Sequence, residues 1–339
     1  MLDIFINLLK TPTMNFQEKA NFIWQVADDI LRGSFKQHEY GDVILPFVVL
    51  RRLDCVAEES KDKVIETYNQ FKEKLSDENL KPILLQATGG LNYFNVSPYD
   101  LRRLAQDASN IEINLNSYLN GFSENVRDLY ENFQIEKVAA KLVKNDALYM
   151  LVDRFTEIDL HPSVVANHEM GYIFEELLRR FSEMSNETAG EHYTPREVIQ
   201  LMVNLLFAEH KDELQGKGII RTIYDPACGT GGMLTVAKKH ILENINPDLE
   251  VVMYGQELNE QTYAIAKSDV LITGENADNI RGPKSSFKDD QFQGQRFNYM
   301  LSNPPFGVSW KKEQAFIQEE ANDPHGRFHA GLPRSSDVP

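Results

Sequence analysis

Residues 300–307 read MLSNPPFG, and within them Asn303, Pro304, Pro305 and Phe306 are poorly suited to prolonging a strand. Neither proline has an N–H, both have φ fixed, and Pro304 biases Asn303 toward an extended conformation. The segment is therefore a stiff mount that holds a polar side chain beside an aromatic ring. Such a mount suits a flat, polar ligand. An amine on a heteroaromatic ring is a poor nucleophile, because its lone pair is delocalised into the ring. Two acceptors on its two N–H groups favour a pyramidal nitrogen and free that pair. The Asn303 oxygen and the Pro304 carbonyl can be those acceptors, and Phe306 can stack on the ring. A methyl group on a sulfonium placed in line would then transfer by positioning and electrostatics, with no strong base. The plain alternative is a rigid turn that ends a strand.

Two further stretches supply the donor side. DPACGTGG runs from Asp225 to Gly232, with Gly229, Thr230, Gly231 and Gly232 leading into a helical pattern. Glycines there permit a tight turn and close approach of backbone to a ligand. No Gly-Lys-Ser/Thr follows, so the turn is not a P-loop. Asp225 repels phosphate and attracts an ammonium. GQELN carries Glu257, 25 residues after Gly232, a spacing at which an acid binds ribose hydroxyls. A surface carboxylate at a helix start is the competing reading. Together these residues describe a nucleoside with a cationic tail. S-adenosyl-L-methionine has both features, whereas the pyrophosphate of NAD is disfavoured by Asp225.

The elements that must position these residues follow from the hydrophobic periodicity. Residues 15 to about 180 read as mostly helical, with Phe16, Ala20, Ile23, Trp24, Ala27, Ile30 and Leu31 at helical spacing before Gly33. A second, very apolar helix begins near Asp42, with Pro46 in its first turn or kinking it. Further helices are expected at roughly 57–76, 98–107, 123–132, 136–153 and 168–183. After a polar stretch over 182–195, Thr194, Pro195 and Glu197 start a helix as cap, first-position proline and first-turn acid. Strands at 221–225, 249–257 and 296–303 then alternate with helices, which indicates parallel β-α units and an open α/β sheet. Ligands on such sheets bind beyond the carboxyl ends of the strands.

The chain has 339 residues, 42% of them hydrophobic and 25% charged, enough for two domains of ordinary globular composition. No apolar run approaches a membrane span, no signal peptide is read at the start, and two distant cysteines build no disulfide framework. A cytoplasmic protein is the expectation. The formal net charge of −16 argues against a large basic face for nucleic acid. DNA affinity would then be confined to a groove or supplied by a partner.

DPACGTGG, GQELN and LSNPPFG, in that order, resemble the amino-methyltransferases, N6-adenine DNA methyltransferases above all. YGDVILPFVVLRRLD, HEMGYIFEELLRRFSE and AGEHYTPREVIQLMVNLL resemble the modification subunit of Type I restriction–modification systems, over nearly the whole chain. The resemblance implies a helical N-terminal domain, 1–165, and a Rossmann-like methyltransferase domain, 166–339, whose later strands and C-terminal tail lie outside this sequence. It implies that Glu191, His192, Tyr193, Thr194, Pro195 and Arg196 border the S-adenosylmethionine site. Asp225, Gly229, Thr230, Gly231, Gly232 and Glu257 complete that site, and Asn303, Pro304, Pro305 and Phe306 form the catalytic tetrapeptide. It also implies a flipped adenine in duplex DNA as substrate, with a specificity subunit and a restriction subunit as partners and no membrane. The family's contact to the cofactor adenine ring finds no clear match near Pro283-Lys284, Asp289 or Asp290.

Other residues read more plainly. Cys228 sits inside the cofactor turn and is a small buried thiol rather than a nucleophile. HEMGY has Tyr172 where a zinc signature needs histidine, and Gly326 sits beside His325 in the loop leading to His329, so no metal site is expected. LRRLD over 50–54 reads as a solvated helix face. Two other functions compete: a methyltransferase acting on a protein amide, and a non-catalytic cofactor-binding or assembly module.

Overall fold

The computed structural model describes residues 15–185, 194, 196–305, 309–328 and 331–332. They form two compact units. One contains the described residues up to Ser185 together with Ser268–Asn276, and the other contains Thr194, Arg196–Lys267 and the described residues from Ala277 on. The sequence-based boundary after residue 165 differs from this division, because the helix that follows it packs on the first helices of the chain.

In the helical unit, α1 (Phe16–Leu31) opens with a reciprocal cap. The Glu18 N–H donates to Asn15 Oδ1 at 2.9 Å and the Asn15 N–H donates to Glu18 Oε2 at 2.8 Å. Its apolar stripe, with Ala20, Ile23, Ala27 and Leu31, is buried. The next helix, α2 (Tyr40–Ala57), is buried on nearly every side, so it is the axis around which the unit packs. Pro46 lies in its second turn, because the helix starts at Tyr40, earlier than expected. α3 (Lys61–Phe71), α4 (Asp77–Ala87), α5 (Leu101–Ala105), α6 (Ile111–Asn120), α7 (Glu124–Asn132), α8 (Ile135–Lys144), α9 (Leu148–Thr156) and α10 (Asn167–Ser185) follow. The single helix expected over 136–153 is two helices, broken where Asp146 takes a left-handed φ of +54°. Helices α4 and α6 were not anticipated. One contains Pro82 and the other is rich in asparagine and isoleucine, and tertiary burial of Leu80 and Leu84 or of Ile111 and Leu115 overrides that weak local preference. Trp24 stacks on Phe181 at 5.3 Å between centroids.

The LRRLD stretch corrects an expectation. Arg51 and Arg52 are fully buried. Arg51 Nε donates to the Ile158 carbonyl at 2.7 Å, and its guanidinium pairs with Asp54 at 3.2 Å. Among the described residues no carboxylate pairs with the Arg52 guanidinium. It donates to the carbonyls of Val165 (2.9 Å), Ile272 (3.3 Å) and Leu160 and to Asn167 Oδ1 (2.7 Å). Five N–H donors in a planar fork can serve several acceptors at once, so the buried charge is met by dipoles from two stretches of chain, 160–167 and the end of the helix at Ile272.

The α/β unit runs α11 (Arg196–Ala208), β1 (Ile220–Asp225), α12 (Gly232–Asn244), β2 (Glu250–Gln256), α13 (Glu260–Ile272), β3 (Ile280–Arg281), β4 (Tyr299–Met300) and α14 (Gln314–Ala321), with α13 ending in the helical unit. The described strands make a parallel sheet of order β3-β2-β1-β4. Only Tyr299 and Met300 of the strand expected over 296–303 ladder with β1, and the two-residue β3 carried no periodicity to read. Register fixes the faces. Ile223 pairs with Met253 and Tyr299, and this face meets Phe207 of α11, whose ring lies 4.9 Å from that of Tyr299. Tyr224 pairs with Tyr254 on the opposite face, covered by Phe292 and Phe297, with Phe297 stacked on Tyr224 at 4.4 Å.

Among the described residues no helix is long and apolar enough to cross a membrane. Replacing Arg52 with leucine strands buried carbonyls and the Asn167 oxygen. We expect the substitution to lower unfolding stability by about 3 kcal/mol or more, read from the urea midpoint followed by circular dichroism.

Candidate active site

Every strand of the parallel sheet points the same way, so the segments that follow β1, β2 and β4 leave from one edge. The first turn is built around two left-handed glycines. Gly229 has φ +54° and Gly231 has φ +83°, conformations that side chains resist. Gly231 is the N-cap position of α12, and its N–H donates to the Cys228 carbonyl at 2.8 Å. The Cys228 N–H in turn donates to the Gln256 carbonyl at 3.0 Å. Cys228 itself is buried, and burial raises its thiol well above the ordinary value, so it is inert packing. A Cβ on Gly255 would sit 2.9 Å from the Cys228 sulfur, so glycine at that point of β2 lets the turn lie against the strand.

Glu257 ties this turn to the next. Its Oε2 accepts the Gly229 N–H at 2.8 Å, and its Oε1 accepts the N–H groups of Leu258 and Asn259, each at 2.8 Å. The carboxylate bears out the reading of an acid at a helix start, and it also reaches the glycine turn. It satisfies donors ahead of α13, and it stands against the glycine turn. A carboxylate offers about four acceptor positions. Among the described residues three are filled by backbone, two on Oε1 and one on Oε2, which leaves one on Oε2.

Asp225, the last residue of β1, is only 1% exposed. Its Oδ1 accepts the Ala227 N–H at 3.0 Å, which braces the start of the turn. Burial pushes its carboxyl up to about 7; the Ala227 N–H and the Ser302 hydroxyl oppose that rise, and the negative Glu257 adds to it. The group thus sits at the balance between acid and carboxylate near neutral pH.

Asn303 follows β4 on the same edge. The pairing of Tyr224 with Met300, and the Leu301 N–H donating to the Tyr224 carbonyl at 3.0 Å, carry the chain past Asp225 before it turns. The half-buried Asn303 donates from Nδ2 to the Thr194 hydroxyl at 3.0 Å. Pro304 and Pro305 are exposed. Glu191, His192, Tyr193, Pro195 and Phe306 lie outside the described residues, and Arg196 is the first residue of α11. The structure thus brings Thr194, Asp225, the glycine turn, Glu257 and Asn303 to one edge.

Sequence reasoning missed Gln256. Its side chain is fully buried and pins the next loop from three sides. Nε2 donates to the carbonyls of Lys284 (3.2 Å) and Asp289 (2.8 Å), and Oε1 accepts the Gln291 N–H at 3.1 Å. The signal was present, since a glutamine directly before Glu257 at a strand end needs buried partners. Gly282 lies close behind, where a Cβ would approach the Glu257 carbonyl to 2.5 Å. Among the described residues no group of three His, Cys, Asp or Glu side chains could hold a metal ion.

The family model of the HsdM N-terminal domain matches residues 19–155, and that of the N-6 DNA Methylase matches residues 165–335. The chain is 28% identical over 301 residues to the Type I restriction enzyme MjaIX methylase subunit of Methanocaldococcus jannaschii, covering 86% of this chain and 51% of that protein. It is 32% identical over 177 residues to the Type I restriction enzyme EcoEI methylase subunit of Escherichia coli, covering 50% and 34%. The chain thus spans about half the length, or less, of these curated relatives. The crystal structure of a type I restriction-modification system methyltransferase subunit from Streptococcus thermophilus superposes with a TM-score of 0.67 at 21% identity, over 95% of this chain and 70% of that one, a likeness of fold. With its glycine turn, acidic strand end and Asn-Pro-Pro-Phe segment inside a match that covers half of its length, the chain belongs to the N-6 DNA methylase family.

Proposed function

We propose that this chain carries the methyl-transferring site of a Type I restriction–modification enzyme, taking S-adenosylmethionine as donor and the N6 amine of adenine in DNA as acceptor. One observation supports the reading above the rest. Asn303 stands with its side-chain amide anchored, on the same strand edge as a glycine turn closed by a carboxylate. A turn whose N–H already faces Glu257 repels phosphate, and the buried Asp225 adds negative field, so the donor set fits a ligand with hydroxyls and a cationic tail.

S-adenosylmethionine supplies, when bound, an electrophilic methyl on sulfonium. The residues do the rest. The glycine turn lets backbone approach the ligand, the free acceptor direction of Glu257 takes a ribose hydroxyl, and Asp225 favours the ammonium. Asn303 Oδ1 and the Pro304 carbonyl accept hydrogen bonds from the two amine N–H groups, and Phe306 stacks on the base. Thr194 and its neighbours border the cofactor. The adenine is reached by flipping it from the duplex. We place the chain in the cytoplasm, with a specificity subunit reading sequence and a restriction subunit cutting. That arrangement reconciles a net charge of −16 with DNA as substrate.

The direct test measures tritiated methyl transfer to adenine-containing DNA, with the specificity subunit present, alongside calorimetry of donor binding. No binding of the donor by folded protein would remove the reading. Asn303→Ala is expected to lower the transfer rate about 100-fold or more while donor affinity stays within about threefold, because the amide oxygen acts on the reacting amine and not on the donor.

Asp225 gives a pH test with a defined sign. Its folded value of about 7 lies above the usual carboxylate value, so the folded state holds the extra proton between roughly pH 4 and pH 7. Stability contributed by the neutral form is full below that window and is lost as pH rises through 7. Asp225→Asn is expected to melt at a higher temperature than the parent at pH 8, with the gap narrowing through pH 7 to 5 and closing only below about pH 4. A cationic donor favours the ionised form, so parent affinity should fall about tenfold from pH 8 to pH 6, and the variant should bind weakly with no such dependence.

A further inference from the structure

The Thr194–Asn303 hydrogen bond assigns Thr194 a task beyond bordering the donor. We infer that Thr194 is a positioning residue for the acceptor amine, fixing which atom of the Asn303 amide faces the substrate. This rests on the proposed methyl-transfer reading.

Pro304 restricts the backbone of Asn303, and the ladder through Met300 and Leu301 fixes where the strand ends. What stays loose is the terminal torsion of the asparagine side chain, which is broad and roughly two-fold. Rotation by half a turn exchanges an acceptor for a donor. With Oδ1 toward the ring amine, Asn303 accepts a hydrogen bond from one of its N–H groups, and the proton the nitrogen sheds on methylation passes to water. With Nδ2 there, two N–H groups oppose each other and the lone pair is not freed. In the structure Nδ2 is spent on the Thr194 oxygen at 3.0 Å, and the amide oxygen is directed away from the threonine. Thr194 comes from the segment before α11, 109 residues away in sequence, so the segment that leads into this helix also sets the amide. A hydroxyl can donate as well as accept, so Thr194 acts by anchoring the terminal torsion in the arrangement the structure shows, Nδ2 on the hydroxyl oxygen, without burying a charge. Valine, equal in shape, gives neither orientation a partner.

Single-turnover methyl transfer in the assembled DNA-modifying complex, at saturating donor, tests this. Thr194→Val should slow transfer about tenfold or more with the donor dissociation constant changed less than about threefold, and Thr194→Ser should recover the parent rate within about threefold. Equal rates for Thr194→Val and the parent would overturn the inference. A loss confined to donor affinity, with the saturated rate intact, would also overturn it and leave Thr194 as a donor contact alone. A second readout is independent of activity. With 15N-asparagine labelling, the Asn303 side-chain amide, identified by its absence in Asn303→Ala, should be protected from exchange in the parent and lose that protection in Thr194→Val. Should the parent bind donor yet methylate no DNA, the functional reading fails, and the amide protection alone decides whether Thr194 sets the asparagine.

Discussion

The bond between Gly229 N–H and the Glu257 carboxylate is the constraint on which the donor side of the site depends. Gly229 and Gly231 both adopt left-handed φ, and a turn with two such residues has many alternatives in solution. An anion that collects one N–H from the turn and two from the segment before α13 selects a single shape for both. Hydrogen bonds to a charged acceptor are each stronger than neutral ones. The sheet contributes by adjacency. Because β1 and β2 are parallel neighbours in the register Asp225 to Gly255, the two turns emerge side by side and one carboxylate can reach both.

The same device recurs below the surface. Gln256 holds the loop over 284–291 by three hydrogen bonds to its backbone, and Arg52 gathers four acceptors in the helical unit. In each case an irregular segment that would strand its carbonyls or N–H groups is satisfied by one buried multivalent side chain. Such a side chain orders a loop without a regular element, which leaves strand ends free to carry chemistry.

How much of this was legible in the sequence depended on whether the signal was local. The helix α1 was readable because Asn15, Glu18 and the apolar spacing agree, and the sheet was readable because 221–225 and 249–257 are apolar runs between helical patterns. The glycine turn and Glu257 were found by spacing. Arg51 and Arg52 were misread as solvated because charge in a helix normally faces water, and nothing adjacent reveals the carbonyls of Ile158 or Val165 more than 100 residues away. The break at Asp146 was missed for a related reason: Asn145-Asp146 is tolerable in a helix until burial on both sides demands a change of direction. Thr194 was recognised by its motif. Its partner in Asn303 was not, since the pair is formed only when the sheet closes.

The charges divide the proposed work between binding and rate. In the proposed site Asp225 and Glu257 would put the donor in negative potential before and during transfer alike, so most of their effect would be on affinity. The sulfonium loses its charge as the methyl leaves, and an anion placed against the sulfur itself would hold the reactant back. Asp225 is buried and bonded to the Ala227 N–H, and Glu257 is bonded into backbone, so both carboxylates are held in place rather than free to swing onto a sulfonium. Asn303 is the opposite case. It is neutral, so it does not oppose the loss of positive charge, and its oxygen gains most from an amine whose protons become more acidic as the nitrogen takes up the methyl group. A neutral acceptor with a fixed orientation is therefore better matched to the reacting centre than a carboxylate at the same position, which explains in physical terms why an amide, and not an acid, stands at residue 303.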